Sequence, residues 1–505
     1  MYQALLTRRY LVSKVMPLIA AVAVALCTAM VLIVWSVMGG FLNQLLSSGK
    51  SMIGDVSIQW PVTGFPYYED LIARLEKQPE VKAATAQIET LGLLGLHTGE
   101  RRTVEVFGIE PKGYNAVTGY YDRLHWKKID QPSPRDTKRE DPRLTIEPRY
   151  EEAGKSMTWV DPETGQSRPA IVPGLEVTRY NIRTETGVVV PWKGMHDSFF
   201  GPDEEATLTL LPMSERGVAI NVEAKRFPIA NEFRTGLYEA DANWVLAPLN
   251  DVQRMMAMDR AERVKQDRMR PEIHTGPDGK EYVTYPETVE VEPAKVTTVL
   301  VGAKDGISAN ALRIVCERVY DEFAQAHPEA SVPSAARILI YTWEEKPGLR
   351  TFIGAVKKET ALVLVLFGII SLVAVVLIFS IFWSMVSEKT KDIGVLRAIG
   401  ASRAGVAWLY LRFGLAIGIV GAIAGGALAW VIVVNINPIH EWLGRALGIV
   451  VWDPQIYYFT QIPNRVEPDK AAMVLGSALV FSVVGALIPA LRAAWMDPVR
   501  ALRFE

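Results

Sequence analysis

The sequence is poor in the residues that build metal centres and covalent cross-links. Its 505 residues include 2 cysteines and 6 histidines, and no two histidines stand three or four positions apart. Cys27 and Cys316 cannot form a disulfide framework by themselves. The close spacing of His and Cys ligands that is typical of zinc sites is absent as well. The composition therefore excludes a small disulfide-stabilised fold and offers nothing in favour of a zinc enzyme.

The motifs of common hydrolases and of nucleotide-binding proteins are missing too. Neither G-x-S-x-G nor H-E-x-x-H occurs. Gly49, Lys50 and Ser51 match the end of a phosphate loop, but that motif needs a glycine where the chain has Gln44. A membrane-anchored enzyme therefore has no motif in its favour. A formal net charge of −2 gives no reason to expect nucleic acid as a partner.

Charge is absent from four long apolar runs. No Asp, Glu, Lys or Arg occurs in 15–49, 360–387, 413–440 or 471–491. Each run is long enough for a membrane helix, which needs about 20 apolar residues. The first run exceeds the apolar core of a signal peptide, roughly 7–15 residues, and no A-x-A cleavage site follows it. We therefore expect four transmembrane helices, with the first one retained.

The distribution of Lys and Arg predicts the orientation. Basic residues lie before the first run, between the second and third runs, and after the fourth. The segment 436–470 has three basic residues against four acidic ones. Because cytoplasmic loops are enriched in Lys and Arg, we expect both termini and the 387–412 loop in the cytoplasm. The large segment between the first two runs is then extracytoplasmic.

That large segment has the pattern of an α+β domain. Residues 55–110 alternate as strand, helix, strand and strand, and a strand, helix and strand recur at 297–343. The two halves predict one split α+β subdomain, and the short strands of 170–250 predict a second, β-rich subdomain. The charged stretches 123–152 and 260–293 are interpreted as solvated or disordered insertions, with a binding role as the less favoured alternative.

A short helix is predicted between the second and third runs. Apolar residues recur every three positions at Ile393, Leu396 and Ile399, and Gly400 follows as a helix end would. Charged residues crowd the turn that precedes this stripe. One interpretation is a helix that docks into a groove on a partner. The other, favoured by the pattern alone, is an ordinary cytoplasmic loop with a basic bias.

The third run contains glycines at the spacing that lets helices approach closely in lipid. Gly418, Gly421 and Gly425 are three or four residues apart, and small residues at this spacing are enriched at helix contacts in membranes. The alternative is that they lie on a face that contacts lipid. Further on, Asp497 and Pro498 predict the start of a final short helix, because Asp caps helices and Pro fits their first turn.

Five stretches spread over the chain carry a resemblance to a known family. They are SVMGGF at 36–41, FGIEP at 107–111, TGLYEADANWVLAPLNDVQRMM at 235–256, EKTKDIGVLRAIGAS at 388–402, and IPALRAAWMDPVRALRFE at 488–505. In this order they resemble the FtsX/MacB-type ABC transporter permeases, and most closely the LolC/LolE lipoprotein-releasing permeases. The resemblance implies an α-helical membrane protein of the inner membrane. It would have four transmembrane helices and a large α+β, MacB-like periplasmic core domain between helices 1 and 2.

The resemblance also implies a function that depends on partners. The chain would be a permease subunit, not itself an enzyme, and would form a homo- or heterodimer with a second permease chain. Separate ABC ATPase subunits would hold ATP and Mg, so this chain would bind no cofactor or metal. ATP-driven motion would reach the outside domain through helical stalks and pass a lipoprotein from membrane lipid to a periplasmic carrier. Two alternatives in the same superfamily are an FtsX-like regulator of a cell-wall hydrolase and a MacB-like efflux permease.

Under this reading the short helix couples the permease to its ATPase. The residues assigned to ATPase coupling are Glu388, Lys389, Lys391, Asp392, Ile393, Leu396, Arg397, Ile399 and Gly400. The residues assigned to helix packing are Gly418, Gly421 and Gly425.

The chain is then divided into nine segments. They are a cytoplasmic interfacial helix at 1–14, transmembrane helix 1 with its stalk at 15–49, the extracytoplasmic domain at 50–350, a stalk with transmembrane helix 2 at 351–387, the cytoplasmic coupling region at 388–407, transmembrane helix 3 at 408–436, an extracytoplasmic loop at 437–470, transmembrane helix 4 at 471–491, and a cytoplasmic C-terminal helix at 492–505.

Overall fold

A computed structural model describes most of the chain. The described residues are 15–50, 52–132, 141–184, 188–194, 198–212, 222–266, 272–275, 281–284, 287–328, 331–347, 349–447, 462, 464 and 466–502. The predicted interfacial helix at 1–14 lies outside them. The chain divides into two compact units. We call Met1–Gln44, Phe352–Asp453 and Gln461–Glu505 the helical unit, and Leu45–Thr351 with Pro454–Thr460 the sheet unit.

The helices are numbered in chain order. They are α1 Val15–Lys50, α2 Tyr68–Glu76, α3 Pro111–Thr118, α4 Tyr120–Arg123, α5 Pro148–Ser156, α6 Tyr238–Asn243, α7 Leu249–Met255, α8 Ala309–Ala326, α9 Leu349–Glu388, α10 Thr390–Ala398, α11 Arg403–Val434, α12 Ile436–Leu447, α13 Pro468–Trp495 and α14 Pro498–Leu502.

The strands are numbered in the same way. They are β1 Val56–Gln59, β2 Phe65–Pro66, β3 Val81–Gly95, β4 Arg101–Ile109, β5 Thr158–Val160, β6 Ser167–Pro169, β7 Val172–Pro173, β8 Asn181–Arg183, β9 Val189–Lys193, β10 Ser198–Phe199, β11 Glu205–Leu210, β12 Glu223–Pro228, β13 Trp244–Pro248, β14 Ala261–Gln266, β15 Glu272–Thr275, β16 Glu281–Thr284, β17 Glu287–Glu292, β18 Lys295–Val296, β19 Thr298–Ala303 and β20 Leu339–Thr342.

Among the described residues, four helices are long and apolar enough to cross a membrane, as the sequence predicted. The candidate spans lie in α1, α9, α11 and α13. In a bilayer a helix satisfies all its backbone hydrogen bonds internally, which is why uncharged runs of this length fold as helices. The third span ends at Val434, before the predicted 436, and α12 begins at once. Pro438 explains the break, because its ring would clash with the carbonyl group four residues earlier in a continuous helix.

A nine-stranded sheet forms the centre of the sheet unit. Its strand order is β20-β1-β19-β3-β4-β13-β7, with β11 paired to the last residues of β3 and β12 paired to β11. The β4–β13 pair is parallel and the other pairs of this sheet are antiparallel. The strands of 170–250 were predicted to form a separate β-rich subdomain. Instead β7, β11, β12 and β13 join this sheet, and β8–β10 form a small sheet of their own.

Both faces of the sheet are covered by helices. Val299 and Val301 of β19 belong to a large apolar core with residues of α2 and α8, whereas Leu300 packs in a second core with Tyr114 of α3. Successive side chains of a strand point to opposite faces, so this alternation places the two cores on either side of β19. The helices predicted in these two halves bury apolar side chains, including Leu71 on α2 and Leu312 on α8. A sizeable α+β region is thus confirmed.

The two charged stretches are not structureless insertions. In 123–152 the side chains of Leu124, His125, Trp126 and Tyr150 are buried, and α5 begins at Pro148. In 260–293, β14 pairs with β17, and β15 pairs with β16 between them, as two nested ladders. For 260–293 the paired strands argue against disorder, whereas Val283 and Val291 are exposed, as a solvated insertion predicts. For 123–152 the prediction was wrong because average charge hides a few aromatic residues. Their burial is decided by partners that are distant in the sequence.

Glu232 is the most important of those distant partners. Its buried carboxylate accepts hydrogen bonds from Trp126 Nε1 at 2.7 Å, Asn181 Nδ2 at 2.8 Å and Thr178 Oγ1 at 2.8 Å. Burial raises the pKa of Glu232 to about 7, although the three hydrogen bonds act in the opposite direction. The space around the carboxylate is filled as well. A Cβ atom at Gly201 would lie 2.7 Å from Glu232 Cδ.

Candidate coupling helix and helix contacts

The predicted short helix is α10, and backbone hydrogen bonds fix its C-terminal end. Gly400 has a φ of 106°, and its N–H donates to the Arg397 carbonyl at 3.2 Å. The Ala401 N–H donates to the Leu396 carbonyl at 3.0 Å, which completes a Schellman end. One residue later, Ser402 Oγ accepts the Gly405 N–H at 3.1 Å and caps α11. The turn between the two helices is therefore tight and defined.

The apolar residues of α10 do not share one face. Ile393 is 1% exposed and packs with Val386, Tyr410 and Ala493 of the helical unit, whereas Leu396 is half-buried and Ile399 is 81% exposed. A step of three residues falls about 60° short of a full turn of 3.6, so Ile393 and Ile399 lie about 120° apart. Val395, four residues before Ile399, is also exposed, at 45%. Val395 of α10 and Ile399, the C-cap residue directly after it, are the exposed large aliphatic side chains that a partner could cover.

Charged residues surround this exposed aliphatic pair. Lys389 Nζ lies 2.7 Å from Asp392 Oδ2 across the first turn of α10. Glu388 and Lys391 are exposed, and Arg397 Nη1 donates to the Ala401 carbonyl at 3.0 Å. An exposed pair such as Lys389–Asp392 contributes little to stability, so these charges are suited to orient a partner.

Two further cations lie against tryptophan rings of the helical unit. The guanidinium carbon of Arg492 is 3.8 Å from the ring centroid of Trp383, and that of Arg412 is 5.2 Å from the ring centroid of Trp408. Trp and basic side chains are both enriched where membrane helices reach the interface. Arg412 and Trp408 lie on the first turns of α11, and Arg492 and Trp383 on the last turns of α13 and α9.

The final helix α14 packs against α10. Ala501 is buried, and Asp497 Oδ1 accepts the Val499 N–H at 2.8 Å, so the helix begins where Asp497 and Pro498 predicted it. Val499 is exposed. The short helices α10 and α14 thus support each other next to the ends of the long helices.

The glycines of α11 lie against two different helices. A Cβ atom at Gly418 would lie 2.9 Å from the Ser482 Cβ of α13, and one at Gly421 would lie 2.6 Å from the Val24 Cβ of α1. A Cβ atom at Gly425 would collide with the backbone carbonyl oxygen of Ala25. All three predicted packing glycines are therefore buried inside one chain, and not on a lipid-facing side.

Two more glycines in these contacts, Gly414 and Gly485, were not singled out from the sequence. A Cβ atom at Gly414 would lie 2.7 Å from Ala486 Cβ, and Ser482 Oγ donates to the Gly414 carbonyl at 2.7 Å. On α13, a Cβ atom at Gly485 would lie 2.9 Å from Ile378 Cβ of α9. The signal was present, because Ser482, Gly485 and Ala486 repeat the three- and four-residue spacing of α11.

The chemistry that α10 presents is that of a binding surface. Among the residues that the structure describes, no three His, Cys, Asp or Glu side chains are placed to hold a metal ion. What the arrangement can do is bind: it presents two aliphatic side chains and several charges on a firmly held helix.

Comparison with known proteins identifies the class of the C-terminal part of the chain. Residues 364–498 match the family model of the FtsX-like permease C-terminal domain, so the chain carries an FtsX-like permease domain. That range runs from α9 to the start of α14 and includes α10 and the packed glycines. The resemblance expected from the sequence is confirmed at this level.

Individual relatives make the comparison more specific. The chain is 20% identical to the lipoprotein-releasing system transmembrane protein LolC of Neisseria meningitidis serogroup B, over 97% of this chain and 94% of that protein. It is 33% identical to LolC of Xylella fastidiosa strain 9a5c, over 24% of this chain and 29% of that protein. The periplasmic region of MacB from Actinobacillus actinomycetemcomitans aligns over 58% of this chain and 91% of that structure, with 8% identity and a TM-score of 0.25. We draw no argument from this last similarity.

Proposed function

We propose that this chain is the permease subunit of an inner-membrane ABC transporter that releases lipoproteins to a periplasmic carrier. ATP would be hydrolysed by separate subunits that bind α10. The observation that carries the proposal is the exposed pair Val395 and Ile399 on a helix whose end at Gly400 is fixed by backbone hydrogen bonds. The similarity to LolC over nearly all of both chains supports the lipoprotein substrate.

The exposed pair on α10 supplies the binding energy for the ATPase. Burying an aliphatic side chain fully is worth about 1.5–3 kcal/mol, and Ile399 has most of its surface still to bury. Ile393 makes a different contribution, because it is already covered by the helical unit and transmits movement of α10 to that unit. Lys391 and Asp392 would lie at the rim of the interface, where charges affect the rate of association and the salt dependence.

Two of the spans are long enough to act as stalks. Helix α1 has 36 residues and α9 has 40, so they extend about 54 Å and 60 Å at 1.5 Å per residue. A hydrocarbon core is only about 30 Å thick. With both termini and α10 in the cytoplasm, the remaining length would lie outside. A hydrogen-bonded helix can carry a displacement over that distance.

A second permease chain would complete the transporter. The glycine faces of α11 are filled by α1 and α13 within the chain, so they are not available for a dimer. Helix α9 keeps large exposed aliphatic side chains such as Leu362, Val365 and Leu372. That side of α9 would face the second permease chain or membrane lipid.

The proposal is tested by retention of the ATPase on a detergent-solubilised chain. Ile399→Asp should lose the ATPase, because it would place a carboxylate in an apolar contact. Ile314→Asp is the matched control, because Ile314 is also an exposed isoleucine on a helix, α8, but in the sheet unit. Retention of the ATPase at the unmodified level by Ile399→Asp would contradict the proposal.

The substrate is tested separately, in proteoliposomes that contain the complex, a lipoprotein and ATP. Release of the lipoprotein to an added carrier is expected. A complex that hydrolyses ATP normally but releases nothing would instead favour the FtsX-like regulator or the MacB-like efflux permease.

A further inference from the structure

The outer ends of the two longest helices enter the sheet unit at one pair of neighbouring strands. Helix α1 ends at Lys50, shortly before β1, and α9 begins at Leu349, shortly after β20. Strands β1 and β20 are paired antiparallel from Val56↔Thr342 to Gln59↔Leu339. The residues discussed in this subsection all lie in the sheet unit.

Asp55 contacts the end of α1, strand β19 and the residue directly after β20. Lys50 Nζ lies 2.6 Å from Asp55 Oδ1, and Asp55 Oδ2 accepts the Ala303 N–H of β19 at 2.9 Å. The Asp55 carbonyl accepts the Trp343 N–H, directly after β20, at 3.1 Å. Hydrogen bonds to ionised groups are stronger than neutral ones, so Asp55 is held firmly between the strands, and Lys50 is tied to it by one half-exposed ion pair.

Lys346 fixes the start of α9 in the same way. Its Nζ lies 2.9 Å from Glu89 Oε2 on β3 and 5.6 Å from the ring centroid of Phe107 on β4, and its side chain is 8% exposed. The Lys346 carbonyl accepts the Arg350 N–H of the first turn of α9 at 3.1 Å. One position earlier, a Glu345 oxygen accepts the Thr342 N–H at 3.1 Å.

We propose that Lys50, Asp55, Glu89 and Lys346 form a rigid joint through which movement of the two long helices reaches the central sheet. We call these four residues the stalk joint. A buried charge that loses its partner is strongly unfavourable, so the Glu89–Lys346 pair keeps one geometry as α9 moves. The four residues position the sheet and take part in no chemistry. The inference rests on the proposed function, because it needs an ATP-driven movement to transmit.

The test measures hydrogen exchange in the full complex, in lipid nanodiscs, with and without ATP and vanadate. In the unmodified complex, we expect nucleotide to change exchange both at α10 and in β3 and β4. Lys346→Met and Glu89→Gln should each reduce the change in β3 and β4 at least five-fold. The change at α10 and the ATPase rate should stay as they are.

Lys225→Met is the matched control. Lys225 on β12 also pairs with a carboxylate, Asp251, at 2.7 Å and lies over a phenylalanine ring, Phe227, but it lies outside the stalk joint. In this variant nucleotide should change hydrogen exchange in β3 and β4 as much as in the unmodified complex. The charge swap Glu89→Lys with Lys346→Glu should restore at least half of the lost change, and it keeps the test decisive if a single variant folds poorly. Unchanged transmission in Lys346→Met and Glu89→Gln would overturn the proposal.

A disulfide tests whether the joint is rigid. Val56 and Thr342 are a non-hydrogen-bonded pair, because the Thr342 N–H is used by Glu345 and the neighbouring Asp55–Trp343 pair carries the ladder bond. Such pairs have Cα atoms about 4.5 Å apart, within disulfide range. In Val56→Cys with Thr342→Cys, nucleotide should change hydrogen exchange in β3 and β4 equally when the disulfide is formed and when it is reduced. The unmodified chain is the control for the oxidant. Loss of transmission on oxidation would mean that β1 and β20 separate, and that the corner is a hinge.

Lipoprotein release, measured on the same samples, separates this inference from the proposed function. If the unmodified complex transmits the exchange change but releases no lipoprotein, the proposed substrate is wrong and the stalk joint stands. If Lys346→Met releases lipoprotein as well as the unmodified chain, the stalk joint is wrong and the proposed function stands.

Discussion

In the helical unit the closest contacts occur where a residue has no side chain, whereas in the sheet unit an ionisable side chain is fully buried. Gly421 and Gly425 bring α11 directly onto the backbone of α1. Glu232 is fully buried and accepts three hydrogen bonds from residues distant in the sequence. Each arrangement fits its solvent. Lipid gives helices no hydrophobic reason to associate, so close backbone contact must hold them together.

The sheet unit depends on a different balance. Its two apolar cores gain stability from the hydrophobic effect. That gain can offset the cost of burying a carboxylate, provided that the carboxylate is hydrogen-bonded. The comparison teaches that a substitution must be judged by the contacts of its own unit. The same change in side-chain volume or charge should have different consequences in each.

The largest effect is expected at the buried carboxylate. Glu232→Ala would leave the buried donors of Trp126, Asn181 and Thr178 without their acceptor. Each buried unsatisfied donor costs about 1–3 kcal/mol, so we expect a loss of about 4 kcal/mol or more in the free energy of unfolding of the sheet unit. Hydrogen exchange of the peptides around Trp126, in the full chain, measures this. Exchange as slow as in the unmodified chain would show that the carboxylate is dispensable.

A somewhat smaller effect is expected when the pH changes the protonation of Glu232 and with it the stability of the sheet unit. Burial raises the pKa of Glu232 from its ordinary 4.5 to about 7, so the folded state binds this proton more tightly than the unfolded state. The contribution of this proton to the free energy of unfolding is fully present below pH 4.5 and is lost as the pH rises to about 7. It amounts to about 3 kcal/mol, at 1.36 kcal/mol per pH unit.

Glu232→Gln isolates that contribution. The amide keeps an acceptor for Trp126 and Asn181 and donates to Thr178 Oγ1, but it does not titrate. In this variant residue 232 makes no contribution to a change of the unfolding temperature between pH 5 and pH 7. The difference in unfolding temperature between Glu232→Gln and the unmodified chain should grow as the pH rises, because only the unmodified chain loses stability. A constant difference between the two proteins over this range would contradict the pKa.

A smaller effect is expected in the helical unit. Gly425→Leu would force side-chain atoms into the backbone of α1 and should cost about 1–3 kcal/mol, as overpacking does. Gly476→Leu on α13 is the matched control, because a Cβ atom there meets nothing within 4 Å. Thermal unfolding in detergent should separate the two variants. Equal melting temperatures would show that the α1–α11 contact does not contribute to stability.

The two units also differed in how far the sequence predicted them. The spans were predictable because a membrane helix satisfies its backbone within one segment, so an uncharged run suffices. The short helix and its end at Gly400 were predictable from local signals. The face that α10 exposes was not, because three-residue spacing drifts around a 3.6-residue helix and only the packed structure shows that Ile393 is covered.

The sheet unit was harder because its pairings are long-range. The burial of Trp126 depends on Glu232, and the pairing of β1 with β20 joins residues nearly 300 positions apart. No local pattern in 123–132 indicates that Trp126 will pair with Glu232, and none in 339–342 indicates pairing with β1. The glycines of α11 show the intermediate case. Their spacing predicted close contact, but not which helix would fill which glycine.

The most direct test of the central claim is photo-crosslinking from α10 in intact membranes. A photoreactive amino acid at position 399 should cross-link to the ATPase subunit, because Ile399 is the most exposed aliphatic residue of α10. The same residue at position 314, in the sheet unit, should not. A complex that co-purifies with its ATPase yet gives no cross-link from position 399 would contradict the assignment of α10 as the coupling helix.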